Sequence, residues 1–561
     1  MRLLARSTQG LLLVSVLLVL FSPGAFSGET DPTGLAQRDF ERLAAGGFGD
    51  SANSYAWSMT VFKGDLYVGT NRHHMWSILQ SMPGMPPLPP GLGPAAPSDT
   101  TWGNAAWAEE FRGKIWRLRN GAWECVHQSA VVWGQLPIAA NPALPPPPEI
   151  VGYYPESYGY RTMGVHGGYL YAIGIGTWVP NMPLARILRS ATGDEGSWED
   201  ISGSMATATN PRGLVTYKGD LYISASLPGT APAGAGIGLV YRYEPESPEI
   251  WSQVSDPGFG NTDNAEVAYL AVFNGFLYAS TVNYNTGFEV WKTNGTVLSS
   301  GKYLWTRVIK DGFGDTWNQW GMTMVPFRDH LFVGTASGAG MVLKNGVPVG
   351  RRAFDLIRLD KHDRAKLIVG ATTPDDPLPG WPERRIPISG WRAGFGNPYN
   401  DYVWHMAAHD GWFYMGTYDE TSHILLMANA TLMGGFPPSG PLPPPLQELR
   451  TGLDAMDLSS MSGEKRDVVI GLMSAIDARD KTATAYYIEQ MLALFGGADL
   501  FKSRNGVHWV PVTTNGFDNH MNFGFRRLLS VDEDGLKGLV IGTANAFTGH
   551  PKGGCEILIG R

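Results

Sequence analysis

Arg161, Glu266, His405 and Arg526 are side chains of the kinds that move protons and hold anions, and each occurs once where neighbouring repeats carry something else. An imidazole and a carboxylate serve as base and acid, and guanidiniums neutralise a substrate anion or a developing charge. If the four converge, they make a hydrolase or lyase site. A second set, His73, His74, Asp401 and His520, has the donor types that hold zinc or another divalent cation, although no tight spacing such as His-Glu-x-x-His accompanies them. Asp419, Glu420 and His550 are further singular polar residues on the same expected face.

Other chemistries lack their signatures. There is no Gly-x-Ser-x-Gly elbow, no phosphate-binding loop and no dinucleotide fingerprint. Two cysteines, Cys125 and Cys555, are too few for a Cys-rich metal centre, and whether they pair is left open by the sequence. Trp76, Trp102, Trp107, Trp133 and Trp178 fall outside the repeated elements, and their faces suit stacking on a sugar.

The elements that must position these residues come from a repeat. Val61-Phe62-Lys63-Gly64-Asp65-Leu66-Tyr67-Val68-Gly69-Thr70 recurs, with variation, at 165–174, 216–224, 272–281, 325–335, 408–417 and 531–543. Each copy is an apolar strand, a tight turn and a second alternating strand. A further strand pair follows, and a Gly-Phe-Gly-Asp/Asn linker leads to the next unit. Four strands per unit and seven units predict an all-β, seven-bladed β-propeller. The seventh unit runs out after its third strand at 555–560, whereas 40–43 has a fourth-strand pattern ahead of the first hairpin. An N-terminal strand completing the last blade would close the ring and remove two sheet edges. The repeated Asp50, Asn261, Asp315 and Asn397 of the linkers are expected to close turns by accepting from backbone amides.

Ser503-Arg504-Asn505-Gly506-Val507-His508-Trp509 is similar to an Asp-box, with a degenerate copy at 190–198. On these residues the chain resembles secreted β-propellers of the kelch-like and sialidase-type Asp-box kinds, at superfamily level and over essentially all of 28–561. Arg385-Ile386-Pro387 resembles the Arg-Ile-Pro of sialidases, but it lies in the fifth unit rather than near the start. The resemblance implies the fold and carries over no site residue.

Three insertions, 71–113, 128–159 and 418–498, fall in loops expected on one face of the propeller. Proline-rich stretches at 83–97, 137–148 and 437–446 read as stiff extended excursions. The last insertion carries helical periodicity over 464–478 and 483–494, with Val468, Ile470, Leu472 and Met473 on the apolar face of the first. It reads as a small cap or lid.

Residues 1–27 have the charged start, short apolar run and small-residue end of a secretory leader. No transmembrane segment is expected once it is removed, and the chain is expected to be secreted or periplasmic. The net charge of −8 gives no basic excess for nucleic acid. Two functions are compatible with this sequence. The first is an exported binding module for a glycan, protein or small-molecule ligand. The alternative is an exported hydrolase or lyase with a His/Asp/Glu/Arg site at the channel mouth, with a divalent metal as its candidate cofactor.

Overall fold

A computed structural model describes residues 34–74, 103–135, 151–176, 185–208, 210–227, 236–337, 341–344, 347–370, 386–437 and 439–561. The expected leader, the proline-rich stretches 83–97 and 137–148, and Trp76, Trp102 and Trp178 lie outside the described residues.

The fold is all-β and propeller-like. Its strands group into antiparallel four-stranded units whose inner strands are Asn53–Phe62, Gly159–His166, Leu214–Tyr217, Glu266–Phe273, Trp320–Phe327, Asn400–His409 and Gly524–Glu533. Each inner strand packs against the inner strand of the next unit, and Gly524–Glu533 packs in turn against Asn53–Phe62. The last unit draws its outer strand from the other end of the chain. Phe40–Ala44 pairs antiparallel with Ile557–Gly560, with Phe40 opposite Gly560.

Local chemistry explains why the repeat folds this way. Hairpin turns place Lys63 and Gly64 at φ 52° and 84°, the left-handed conformation that matches strand twist. In the linkers, Asp50, Asn261, Asp315 and Asn397 accept from the backbone N–H of Ala52, Asp263, Trp317 and Tyr399 at 3.0–3.2 Å. Six residues after a linker glycine comes a buried asparagine whose Nδ2 donates back to that glycine's carbonyl: Asn53, Asn264, Asn318, Asn400 and Asn522. In four units the same amide also donates to a carboxylate one residue before the third strand: Glu289, Asp355, Asp499 or Glu556. A second-strand threonine accepts from that acidic residue's backbone N–H. The buried carboxylates are therefore part of the repeat, held by charge-assisted hydrogen bonds.

The insertion in the sixth unit is larger than the periodicity implied. It forms four helices, Thr421–Met433, Pro444–Ala455, Gly463–Asp477 and Lys481–Phe495. They share an apolar core that includes Leu425, Leu449, Leu472 and Met491. The stretch 437–446 is not wholly extended, because its last prolines sit in the first turn of Pro444–Ala455, where a missing N–H costs nothing. In Gly463–Asp477 the buried stripe is Val469, Leu472, Ala475 and Ile476, and Ile470 faces solvent. Of the expected apolar face, Leu472 is in the core and Val468 and Met473 pack against it, so Ile470 alone departs. Cys125 is exposed, Cys555 is buried, and both are free thiols.

Close packing at the start of the seventh inner strand gives a first prediction. A Cβ at Gly524 would lie 1.9 Å from Trp404 Cζ3. Gly524→Ala is expected to cost about 1–3 kcal/mol, read as a lower urea midpoint at unchanged m-value.

Candidate active site

Six of these inner strands contain a β-bulge at the same place, and the residues left unpaired are Trp57, Arg161, Ala268, Met322, Trp404 and Arg526. A bulge bends the strand and re-aims the extra side chain. Arg212 stands just before the third inner strand, so this one column supplies three guanidiniums and two indoles to neighbouring units.

Those groups meet. The Arg161 guanidinium lies 4.8 Å from the Trp57 ring, that of Arg212 4.7 Å from Trp320, and that of Arg526 5.4 Å from Trp404. Arg161 donates to Asn210 Oδ1, and Asn210 Nδ2 donates to Glu266 Oε1 at 2.5 Å. Arg212 Nε donates to Glu266 Oε2 at 2.7 Å. Both Glu266 oxygens are thus engaged. Arg526 is only 8% exposed, and its Nε has no hydrogen-bond partner. Burial, then the charges of Arg527, Arg161 and Arg212, push its pKa well below the ordinary guanidinium value. Burial and Arg212 likewise bring Arg161 down to about 9. Indole faces offset part of this desolvation, but they do not neutralise the charge.

Beside the guanidiniums is a buried imidazole–phenol pair. His74 Nδ1 lies 3.3 Å from the Tyr158 hydroxyl, within a wall made by Tyr55 and Trp57. Burial lowers the His74 pKa to about 3, helped by Arg161 and Arg526, so the ring is neutral at physiological pH. The same burial raises Tyr158 above its ordinary value, opposed by Arg161 and Arg212.

Of the four residues expected to be catalytic, Arg161 and Glu266 are linked through Asn210, and Arg526 lies within charge range of Arg161. His405 is differently engaged. Its Nδ1 accepts from the Leu528 backbone N–H at 3.3 Å, and its Nε2 lies 2.9 Å from Arg527 and 3.3 Å from the Tyr269 hydroxyl. It ties the sixth unit to the seventh.

The four expected metal ligands are not brought together. His73, at φ 49°, turns away from His74 and packs on Phe111 near Arg72 and Asp50. Asp401 is buried, and its charge adds to the burial that raises the Tyr402 and Tyr418 hydroxyls. His520 faces His550 and Lys552. Among the described residues no three His, Cys, Asp or Glu side chains converge as a metal-holding group. Adjacent residues at a strand end diverge, which is why the doublet His73-His74 does not chelate.

Sequence reading missed Tyr158, Asn210 and Arg212. A signal for Arg212 is in the repeat: it stands seven residues before the hairpin glycine Gly219, as Trp57 does before Gly64, Arg161 before Gly168 and Trp404 before Gly411. Of the tryptophans singled out, Trp107 is buried, and Trp133 is 63% exposed on the hairpin Val131–Gln135/Val151–Pro155.

No family model matches the chain, and no curated protein matches it. Among solved structures it is similar to a GH43 β-xylosidase/α-arabinofuranosidase from a compost microbial metagenome (10% identity, 54% of this chain and 89% of that one, TM-score 0.27). A Clostridium thermocellum α-L-arabinofuranosidase gives 13% identity over 58% and 93%, at TM-score 0.27. A PL25 ulvan lyase gives 12% over 67% and 82%, at TM-score 0.30. Likeness at this level adds nothing to what the chain's own geometry supports.

Proposed function

We propose that this chain is an exported seven-bladed β-propeller that cleaves an acidic polysaccharide by β-elimination. The circuit of inner strands and the Phe40–Ala44 pairing support the closed ring. Residues 1–27 support export, and no helix among the described residues is long and apolar enough to cross a membrane. The observation that carries the activity is Arg526, a buried guanidinium whose strongest charged neighbours are other guanidiniums, beside the His74–Tyr158 pair. Such a site is incomplete without an anion, and a uronate carboxylate supplies one.

In this reading Arg526, with Arg161 and Arg212, neutralises the carboxylate and so acidifies the adjacent C5–H. Neutral His74 takes that proton, the C4–O4 bond breaks with its electron pair on oxygen, and a C4=C5 double bond forms. Tyr158 protonates the leaving oxygen and recovers its proton from His74 across their contact. No oxidant or water is consumed. Hydrolysis is less well supported, because it calls for two carboxylates around the bond, and Glu266 has both oxygens bonded.

Recognition without turnover, the binding-module reading, is favoured by one feature: exposed Trp133 stands 4.7 Å from Tyr153, edge to face, as an aromatic surface outside the site. Incubation with a panel of uronate polysaccharides separates the two. Elimination is expected to produce the ultraviolet absorbance of unsaturated uronosyl ends, whereas binding that shifts Tm with no such product would leave the binding module as the reading.

A further inference from the structure

The buried asparagine of each linker needs a donor for its Oδ1 as well as acceptors for its Nδ2. In the first, fourth and seventh units the residue two positions beyond the second-strand threonine supplies one. Arg72 donates to Asn53 Oδ1 at 3.3 Å, Asn283 to Asn264 Oδ1 at 3.2 Å and Asn545 to Asn522 Oδ1 at 3.1 Å. In the sixth unit that position is Asp419, an acceptor in place of a donor. Asn400 is fully buried, and its Oδ1 has no partner.

The surroundings add oxygen, and against it stands the charge of Lys465, felt at Asp499. Asp419 Oδ2 accepts from Asn397 Nδ2 at 2.6 Å, and its Oδ1 accepts from the Thr421 backbone N–H at 2.7 Å. Asp499 accepts from Asn400 Nδ2 at 2.8 Å. The Thr421 side chain is buried and bonds Asp419. Among the described residues no Lys, Arg or His forms an ion pair with either carboxylate. Burial, then the charge of Asp499, raises the Asp419 carboxyl above its ordinary value.

We propose that Asp419, Asp499, Asn400 Oδ1 and Thr421 Oγ1 form a buried site for a hard divalent cation, with Ca²⁺ as the matching ion. All four donors are oxygens, the buried Asn400 Oδ1 lacks any partner, and a cation between the two carboxylates offsets their like charges. The cation takes the place that the amide of Asn283 or Asn545 fills in other units. Because Asp419 also accepts from the Thr421 backbone N–H, at the start of helix Thr421–Met433, the ion fastens the helical insertion to its unit.

The test uses the full chain, stripped with EDTA and then titrated with CaCl₂, MgCl₂ or KCl. CaCl₂ is expected to raise Tm by roughly 5 °C at saturation, with one calcium retained per chain after gel filtration. Asp419→Asn restores the amide of the other units, so it is expected to lose the calcium response and to match or exceed the EDTA-treated wild type. If it fails to fold, Thr421→Ala serves instead, with the expectation of at least a tenfold weaker calcium midpoint. A calcium response that persists in Asp419→Asn, or no response of the wild type to any of the salts, would overturn the proposal. In the second case a proton would be what bridges the carboxylates. None of these readouts depends on polysaccharide cleavage.

Discussion

Arg526→Met is expected to remove turnover of an acidic polysaccharide by about a thousandfold and, at the same time, to stabilise the protein by about 1–2 kcal/mol. The two effects have one cause. The guanidinium is buried, its Nε has no partner, and it is pressed by Arg527, Arg161 and Arg212. What holds it is the indole of Trp404 at 5.4 Å, and methionine keeps most of that apolar contact. Arg161→Met provides the contrast, because Arg161 is bonded to Asn210, which is bonded to Glu266. Removing it orphans part of that chain, so stability is expected to fall by about 1–3 kcal/mol. Thermal unfolding read beside initial rates separates the pair. Equal destabilisation by both variants would show that Arg526 has an internal anionic partner.

His74→Gln is expected to lower kcat/KM by about 10²–10⁴, with little change in polysaccharide affinity. The wild-type profile carries a sharper signature. With its pKa lowered to about 3, His74 stays neutral through the range where an ordinary histidine gains a proton. No acid limb near pH 6.5 is therefore expected in kcat/KM. The stability sign follows from the same shift. Between pH 6.5 and 3 the unfolded chain protonates this imidazole and the folded chain does not, so His74 makes the fold lose stability as pH falls through that window. His74→Phe is expected to lose less stability than wild type between pH 7 and 4.5, by about 2 kcal/mol. Urea titrations at the two pH values check this, and parallel losses in both proteins would contradict it.

How much of this was visible beforehand depends on which interactions are local. Hairpins and linkers were legible because a turn such as Lys63-Gly64 and an Asx turn such as that at Asp315 are determined by residues one or two apart. The pairing of Phe40–Ala44 with Ile557–Gly560 was inferable because a propeller leaves an unfilled edge. The bulges were not legible. Nothing in the alternation around Arg161 or Arg526 marks which residue drops out of register, and that displacement re-aims each side chain. His405 was legible as a singular histidine on an inner strand, but its partners Leu528, Arg527 and Tyr269 come from distant parts of the chain and were not. The helices before 463 were hidden because a proline run such as 443–445 can open a helix as well as end one. Asp419 was noticed as singular, yet its meaning required alignment with Asn283 and Asn545, which are distant in sequence and equivalent only in three dimensions.

The most direct test of the central claim is product analysis on one uronate polysaccharide and on the same material after its carboxylates have been reduced to alcohols. Fragments from the native polymer should carry an unsaturated end and weigh one water less than hydrolytic fragments, and the carboxyl-reduced polymer should not be cut at all, because Arg526 would have no anion to hold. Cleavage of both polymers to products that have gained water would contradict the account.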